Sequence, residues 1–481
     1  MSLSQNCEYD KDLRSIQEAR TLLKKAKEAQ KELDELSQEA INNVVEHIAR
    51  GMNNQSELLA KMAVDETGYG NVADKTFKNH FASMSVYEYI KDMKTHGIIG
   101  VDDEKKIWDI GVALGVVVGL IPSTNPTSTV IYKTLICLKS GNAIVFSPHP
   151  AAVKCITKTV ELIKGYLEEC CINPDLVGVL ELPTIEGTST LMKSDDTSMI
   201  LATGGKAMVK SAYSSGTPAL GVGPGNVPAF IERSADIKDA VSKIIAGKTF
   251  DNGVICASEQ SVVVEDCIRD KAVEEFKKQG CYFLNDSEKK ALEVVIQKPG
   301  GGVNPGIVGK LPVHIAKMAG LTIPDDTKII IAFETGVGKA YPFSLEKLSP
   351  ILAFYTEPDW EKACEKCIEI LNYGGIGHSL SMHSKNMDVI REFALKKPVS
   401  RLLVNTPATH GAIGASTSLA PSLTLGCGAV GGSATSDNVT PLNLINIRRV
   451  AFGLDQTSNI ELNGEDEIRD IVKRVIAQMN L

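Results

Sequence analysis

The stretch FDNGVICASEQS, residues Phe250 to Ser261, places a cysteine where a reactive side chain is expected. Cys256 follows two apolar residues and precedes Ala257 and Ser258, so its sulfur can face a pocket while the backbone packs closely. The thiolate is the reactive form, and an unperturbed thiol with a pKa of ~8.5 is only a few per cent ionised at neutral pH. We predict a nucleophile whose pKa is lowered or whose proton is taken by a neighbour. The alternative is a buried cysteine that only packs.

The size and composition of the chain are those of a large globular enzyme. Its 481 residues are 43% hydrophobic and 23% charged, and this length predicts two large domains or about three smaller ones. A net charge of −8 without a basic run disfavours a nucleic-acid partner. The longest apolar run, 110–121, is shorter than the ~20 residues of a membrane helix, and the N-terminus does not resemble a signal peptide. We expect no membrane partner and a cytoplasmic location.

The cysteines do not predict a disulfide framework or a metal site. There are 11 of them, an odd number spread over a long chain. Cys364 and Cys367 form a CxxC, but this pair lies in a helical pattern without two further ligands nearby, and a closed zinc site needs four. We expect no metal.

Strand and helix patterns alternate after a helical N-terminal region that runs from residue 12 to about residue 95. The predicted strands include 112–122, 142–150, 198–205, 261–265, 351–357 and 401–405, with residues 98–108 as a turn or ribbon. Alternation of this kind implies mostly parallel sheets covered on both faces, which bind ligands where loops leave the carboxyl ends of strands. The predicted fold class is therefore α/β.

Three glycine clusters are candidates for a phosphate-binding turn. Residues 426–431, GCGAVG, match GxGxxG, but no helix pattern follows them, and the spacing of 221–225 is wrong. Both are predicted to be tight turns. Thr203-Gly204-Gly205-Lys206 follows an apolar strand and precedes a helical run, so its amides could hold a phosphate, although an ordinary turn would look the same.

Asn125, in PSTNPT, lies at the mouth of a predicted buried strand. A carboxamide there can donate a hydrogen bond to an oxyanion, although an asparagine before proline is also common in simple turns.

Several motifs, taken in order, resemble those of the aldehyde dehydrogenase superfamily. They are IPSTNP at 121–126, TGG at 203–205, GPGN at 223–226, FDNGVICASEQ at 250–260 and EKLSPIL at 346–352. FDNGVICASEQS and SLTLGCGAVGG, at 422–432, are similar to the CoA-acylating branch, which includes the aldehyde half of bifunctional aldehyde-alcohol dehydrogenases and the acetaldehyde and propionaldehyde dehydrogenases of bacterial microcompartments. The resemblance covers about residues 12 to 454.

The resemblance implies a role for each matching residue. Cys256 would be the nucleophile, and Asn125 with the Cys256 amide would form the oxyanion hole. Glu346 would hold the nicotinamide ribose. The other residues expected at the cofactor are Pro122, Ser123, Ser147, His149, Thr203, Gly204, Gly205 and Gly223. The implied reaction oxidises a short aldehyde with NAD⁺ to a Cys256 thioester, which coenzyme A releases as acyl-CoA.

Two departures from the hydrolytic members of the family affect this expectation. Hydrolytic members carry a Glu-Leu-Gly-Gly turn whose glutamate activates water, and Gly221 is predicted to stand in place of that acid. Loss of the base favours release by CoA. Ser147 replaces a lysine that binds the adenosine ribose, and His149 is close by, so NADP⁺ stays open beside NAD⁺.

His378, in GIGHSLSMHS, resembles a histidine of the acylating branch. With a pKa near neutral it could deprotonate the CoA thiol or tune Cys256, whereas the alternative is a loop residue without a chemical role.

The C-terminal segment 462–481 predicts a linker and an amphipathic helix. Its apolar residues follow helical spacing, at Ile468, Ile471, Val472, Val475, Ile476 and Met479. This helix, 465–481, is either an arm that packs on a neighbouring subunit or an encapsulation tag that docks to a microcompartment shell protein, which would place the enzyme inside the compartment.

The resemblance implies two Rossmann-like α/β domains and a small β extension for oligomerisation. The expected boundaries are 1–97 with 109–228 for the NAD-binding domain, 229–427 for the catalytic domain, and 98–108 with 440–454 for the extension. A homodimer or homotetramer is implied. The alternatives are a hydrolytic NAD(P)-dependent aldehyde dehydrogenase that gives a free acid, and a non-catalytic shell-binding protein with the same fold.

Overall fold

The computed structural model describes residues 10–298, 302–454, 471, 472 and 474, and its N-terminal region is helical as predicted. The helices there are α1 (Lys11–Asp34), α2 (Gln38–Asn54), α3 (Ser56–Thr67), α4 (Val72–His80) and α5 (Val86–Ile90). Asp10, Ser37 and Asn71 each accept a hydrogen bond from the backbone amide three residues later. These side chains cap the starts of α1, α2 and α4.

The ribbon predicted at 98–108 is an antiparallel hairpin of β1 (Gly97–Asp102) and β2 (Ile107–Ala113). The run 112–122, predicted as one strand, is divided between two sheets, because the chain turns at Gly115 (φ 124°) before β3 (Val116–Ile121) begins. The Asn142 side chain accepts hydrogen bonds from the amides of Leu114 (2.7 Å) and Gly115 (2.9 Å). These hydrogen bonds stabilise the turn between β2 and β3.

The first α/β unit is a five-stranded parallel sheet. Its further elements are α6 (Pro126–Lys139), β4 (Ala143–Pro148), α7 (Val153–Glu169), β5 (Val177–Val179), α8 (Ile185–Lys193), β6 (Met199–Thr203), α9 (Lys206–Tyr213) and β7 (Ala219–Val222). The strand order is β5-β4-β3-β6-β7. Every residue of β3 and β4 is buried, as expected for a parallel sheet covered on both faces. Helices α1, α2, α3 and α5 share one apolar core with this sheet.

The second α/β unit is a seven-stranded parallel sheet with the order β10-β11-β12-β9-β8-β13-β14. Its elements are β8 (Val227–Ile231), α10 (Ile237–Thr249), β9 (Glu259–Glu265), α11 (Arg269–Lys278), β10 (Cys281–Phe283), α12 (Asp286–Ile296), α13 (Pro312–Met318), β11 (Ile329–Phe333), β12 (Ile351–Glu357), α14 (Trp360–Tyr373), β13 (Gly377–His383), α15 (Met387–Lys396), β14 (Val399–Val404) and α16 (Ala408–Ile413). Apolar clusters on its two faces form the core of this unit.

The third sheet is small and contains the last strand, β15 (Ile445–Ala451), which pairs antiparallel with β2 to give the order β1-β2-β15. Across the described ranges, none of the helices has the length and apolarity needed to cross a membrane. The predicted helix 465–481 lies outside the described residues, apart from Ile471, Val472 and Arg474, which are helical.

Candidate active site

A cavity of about 930 Å³ is lined by both α/β units and contains most of the predicted site residues. The first unit contributes the turns that follow β3, β4, β6 and β7, and the second contributes the turns that precede β9 and β12. The predicted residues in its lining are Pro122, Ser123, Asn125, His149, Thr203, Gly204, Gly205, Gly223, Cys256 and Glu346. Residues that are far apart in the chain therefore share one site.

Cys256 is partly exposed to this cavity, in a turn between a 3₁₀ segment and β9. Asp251 and Asn252 have left-handed backbone conformations (φ 50° and 53°), which give the turn its shape. Burial raises the pKa of Cys256 to about 12, the negative charge of Glu346 adds to this effect, and the Arg401 guanidinium opposes it. The thiol pKa is therefore not lowered, and of the two predicted routes to a thiolate only removal of the proton by a base agrees with this environment.

Asn125 lies at the start of α6 with one end of its amide tied down. Its Oδ1 accepts a hydrogen bond from Lys78 Nζ at 2.7 Å, while its Nδ2 donates to Thr124 Oγ1 at 3.3 Å. Both Thr124 and Asn125 line the cavity. With its oxygen held by Lys78, the amide has its NH₂ group left as the end that could donate to an oxyanion.

The other lining residues fit a dinucleotide. Thr203 Oγ1 is buried without a hydrogen-bond partner among the described residues. Gly205 and Gly223 have open space where a Cβ would be, so a ligand can approach the backbone closely. Glu346 accepts a hydrogen bond from the Gly225 amide at 3.2 Å, and burial raises its pKa to about 7. A buried orphan hydroxyl, bare backbone and a carboxyl group are suitable contacts for phosphates and a ribose.

Ser147 and His149 have different positions, although both were predicted at the cofactor. Ser147 is buried in β4, where its hydroxyl lies 2.8 Å from Thr188 Oγ1, and it is not part of the cavity lining. Its side chain therefore packs towards α8, which contains Thr188. His149 does line the cavity, and its Nδ1 accepts a hydrogen bond from the Ala151 amide at 3.1 Å. In a neutral ring the proton is therefore on Nε2.

His378 lies at the start of β13 rather than in a loop, and its ring is fully buried. Burial and the neighbouring Arg401 guanidinium lower its pKa to about 3, so the prediction of a near-neutral pKa is wrong. The ring is not part of the cavity lining, but it is close to the cysteine turn. A Cβ on Gly225 would lie 3.3 Å from the His378 ring and 2.0 Å from the Cys256 carbonyl oxygen, so only glycine allows this close approach.

The residue that faces the cavity at the end of β7 is Val222, not Gly221. A Cβ on Gly221 would lie 2.7 Å from Val209 Cγ1 and 2.8 Å from Tyr213 Cε2, in α9. Since side chains alternate along a strand, the neighbouring position points the other way. A side chain at position 221 would therefore point towards α9 and away from the cavity, and the residue that lines the cavity at the end of β7 is the apolar Val222.

Three charged residues next to the site were not predicted from the sequence. Lys75 and Lys78 of α4 are buried and both contact Asp251 Oδ2, at 2.9 and 2.5 Å. Their three-residue spacing is common on solvated helix faces, so the sequence did not indicate that these lysines are buried. The sequence feature that could have indicated this cluster is Asp251, which lies in the FDNG segment five residues before the predicted nucleophile.

The site can be compared with known proteins. The aldehyde dehydrogenase family model matches residues 12–282. The bifunctional aldehyde-alcohol dehydrogenase AdhE of Escherichia coli (strain K12) is 44% identical over 442 residues, covering 91% of this chain and 50% of AdhE. This chain therefore spans about half the length of that relative.

Two solved structures are similar over nearly their whole length. An acetylating aldehyde dehydrogenase from Geobacillus thermoglucosidasius is 51% identical with a TM-score of 0.92, covering 94% of this chain and 99% of that one. A propionaldehyde dehydrogenase from the Clostridium phytofermentans fucose utilisation bacterial microcompartment is 28% identical with a TM-score of 0.82, covering 90% and 97%. With its two parallel sheets around a cysteine-bearing cavity, the chain belongs to the aldehyde dehydrogenase family.

Proposed function

We propose that this chain is a CoA-acylating aldehyde dehydrogenase, which converts a short-chain aldehyde of the acetaldehyde and propionaldehyde class, NAD⁺ and CoA reversibly into acyl-CoA and NADH. The observation that carries the proposal is the shared cavity, where Cys256 and Asn125 meet and Val222 stands where a water-activating acid would be expected. The acetylating relative supports it.

The chemistry that we assign to the chain begins when the Cys256 thiol loses its proton, which passes to solvent, and becomes the thiolate. Its sulfur adds to the aldehyde carbon, and the alkoxide accepts hydrogen bonds from the Asn125 amide and the Cys256 backbone N–H. NAD⁺, when bound, supplies the hydride acceptor. Collapse of the alkoxide with loss of hydride leaves an acyl thioester on Cys256. The CoA thiolate then attacks this carbonyl and releases the Cys256 thiolate.

In this proposal one α/β unit binds the cofactor and the other carries the nucleophile. Residues 1–97 and 109–228 would bind the cofactor through Thr203, Gly204 and Gly205, and residues 229–427 would carry the nucleophile, with Glu346 reaching the nicotinamide ribose. The distribution of these residues around the cavity supports the division. His378 keeps a place only as a neutral ring beside the cysteine turn, because a pKa of about 3 makes it a poor base for the CoA thiol.

The test is the mass of the intact protein after incubation with propionaldehyde and NAD⁺. We expect one propionyl adduct on Cys256, removal of that adduct by CoA, and no adduct on a Cys256→Ala variant. A hydrolytic enzyme would instead release propionate and hold no stable adduct. A non-catalytic shell-binding protein would form neither an adduct nor NADH.

For the C-terminal segment 465–481 we propose docking to a microcompartment shell protein, and therefore a location inside such a compartment. The amphipathic pattern of the segment and the microcompartment origin of one similar structure support this proposal. A truncation after Leu462 should keep full activity and lose recruitment to shells. Shell association that persists would contradict docking, and a change in oligomeric state would favour the subunit arm.

A further inference from the structure

Lys78 joins the predicted oxyanion donor to the turn of the predicted nucleophile. Its Nζ lies 2.7 Å from Asn125 Oδ1, 2.5 Å from Asp251 Oδ2 and 2.9 Å from the Val254 carbonyl oxygen. The side chain is only 2% exposed. An ammonium group has three N–H donors and no acceptor, so these three contacts use its full capacity.

The contact with Asn125 determines which end of that amide faces the cavity. Because an ammonium group can only donate, the atom next to Lys78 must be the amide oxygen, and the NH₂ group must lie on the other side, near Thr124. A flipped amide would point its oxygen at a developing alkoxide and repel it. An oxyanion donor is useful only when it is oriented before the charge appears.

The other two contacts hold the loop that carries the nucleophile. Asp251 and Val254 lie five and two residues before Cys256, and Asp251 has the left-handed conformation that shapes the turn. Asp251 Oδ1 also accepts the Asn71 amide at 2.9 Å, so helix α4 and the turn are joined at this carboxylate. One buried cation therefore contacts both the Asn125 amide and the loop that carries Cys256.

We propose that Lys78 is a positioning residue for acylation of Cys256, acting through the Asn125 amide. The proposal rests on the function assigned above to Cys256 and Asn125. Burial lowers the pKa of Lys78 to about 8, and the negative charge of Asp251 opposes that effect, so the ammonium form is maintained at neutral pH.

Lys75 provides a matched control. Its Nζ contacts the same Asp251 Oδ2 at 2.9 Å and the Thr124 carbonyl oxygen at 3.0 Å, and its side chain is 3% exposed. No hydrogen bond joins it to the Asn125 side chain in the described part of the chain. Lys75→Met therefore removes an equally buried charge from the same carboxylate but keeps the amide oriented.

The experiment is a double-mutant cycle of wild type, K78M, N125A and K78M/N125A, with K75M beside it. Two rates are measured. One is the single-turnover formation of NADH from propionaldehyde, and the other is the burst release of p-nitrophenolate from p-nitrophenyl acetate as Cys256 is acylated, which needs neither NAD⁺ nor CoA. Loss of an oxyanion donor costs about 10²–10³-fold, so we expect K78M to lower both rates at least ~10-fold. In the N125A background K78M should cost less than ~3-fold, because the two residues act as one unit. The KM for NAD⁺ should stay unchanged.

The proposal is overturned if K78M costs the same factor with and without Asn125, if K75M is as harmful as K78M, or if K78M keeps wild-type rates. Circular dichroism and thermal melting check folding. If K78M does not fold, K78R completes the same cycle, because it keeps a charge opposite Asp251 and moves the donors away from Asn125. A wild type that cleaves the ester but forms no acyl-CoA defeats the proposed function alone, and the ester rates then decide the role of Lys78. A wild type that does neither defeats both.

Discussion

At Cys256, burial and reactivity act against each other. The burial that would shield the proposed thioester from water also raises the pKa of the thiol to about 12. Only the thiolate attacks an aldehyde, so the free enzyme holds its nucleophile almost wholly in the unreactive form. The Arg401 guanidinium and the backbone amide of Cys256 lower the pKa but do not offset burial.

This environment predicts the pH dependence of alkylation in the absence of cofactor. The thiolate fraction of a group with a pKa of about 12 rises ~10-fold per pH unit below that value, so the rate at which iodoacetamide labels Cys256 should increase steadily from pH 7 to pH 10. The rate is measured by mass on the peptide that contains Cys256, with exposed Cys171 and Cys267 as internal references. A plateau below pH 8 would show that the pKa is low.

Residues of a characteristic chemical type in specific motifs could be predicted from the sequence. Residues whose role depends on tertiary contacts could not. Cys256 and Asn125 stand in specific motifs and lie at one cavity. Lys78 reads as an ordinary helix-surface lysine, because its burial depends on a loop 173 residues away in the chain. The pKa of His378 was wrongly predicted for a similar reason, since Ser379 and Arg401 are paired across β13 and β14.

At the scale of the element, the register of β7 decides which side chain lines the cavity that would hold the proposed thioester. Val222 faces the cavity, so Val222→Glu should place a carboxylate where water can be activated and should raise the share of free acid formed without CoA. Val222→Gln is the matched control, with the same shape and no base. Product analysis by mass distinguishes them, and equal acid from both variants would contradict the assignment.

The adjacent position gives the complementary result. A Cβ on Gly221 would meet Val209 and Tyr213, so Gly221→Ala should lower the free energy of unfolding by about 1–3 kcal/mol through overpacking, without adding free acid. Denaturant unfolding measures this change. A Gly221→Ala variant with an unchanged free energy of unfolding would show that the strand register is different.

The alternation of strands and helices was sufficient to predict parallel sheets, because buried parallel strands form apolar runs bounded by turns. The boundaries of the strands were harder to predict from the sequence. The division of the run 112–122 depends on Asn142, whose side chain reaches back to the amides of Leu114 and Gly115. No local pattern in the strand itself announces that contact.

At the scale of the whole molecule, the third sheet is the surface that we expect to pair with another copy of the chain. In the described ranges no strand pairs with the outer edge of β15. Ile447 and Phe452 are 45% and 37% exposed there, and Leu454 is 76% exposed. An exposed edge with apolar side chains is a template for pairing with a second strand.

We therefore predict a homodimer or homotetramer that Ile447→Asp shifts towards the monomer, because the charge would be buried in the interface. Light scattering after size-exclusion chromatography measures the mass. Leu395→Asp is the control, since Leu395 is 76% exposed on α15, in another unit. A monomeric wild type, or an Ile447→Asp variant of unchanged mass, would be inconsistent with this interface.

The fate of the Cys256 thioester is the central claim, and it is tested most directly by NADH formation from propionaldehyde and NAD⁺ with and without CoA, while acyl-CoA and free acid are followed by mass. We predict continuous turnover to propionyl-CoA with CoA, and without it a burst that ends near one NADH per active site. Steady turnover to propionate without CoA would contradict the account, because a side chain at the cavity would then be activating water even though Val222 cannot.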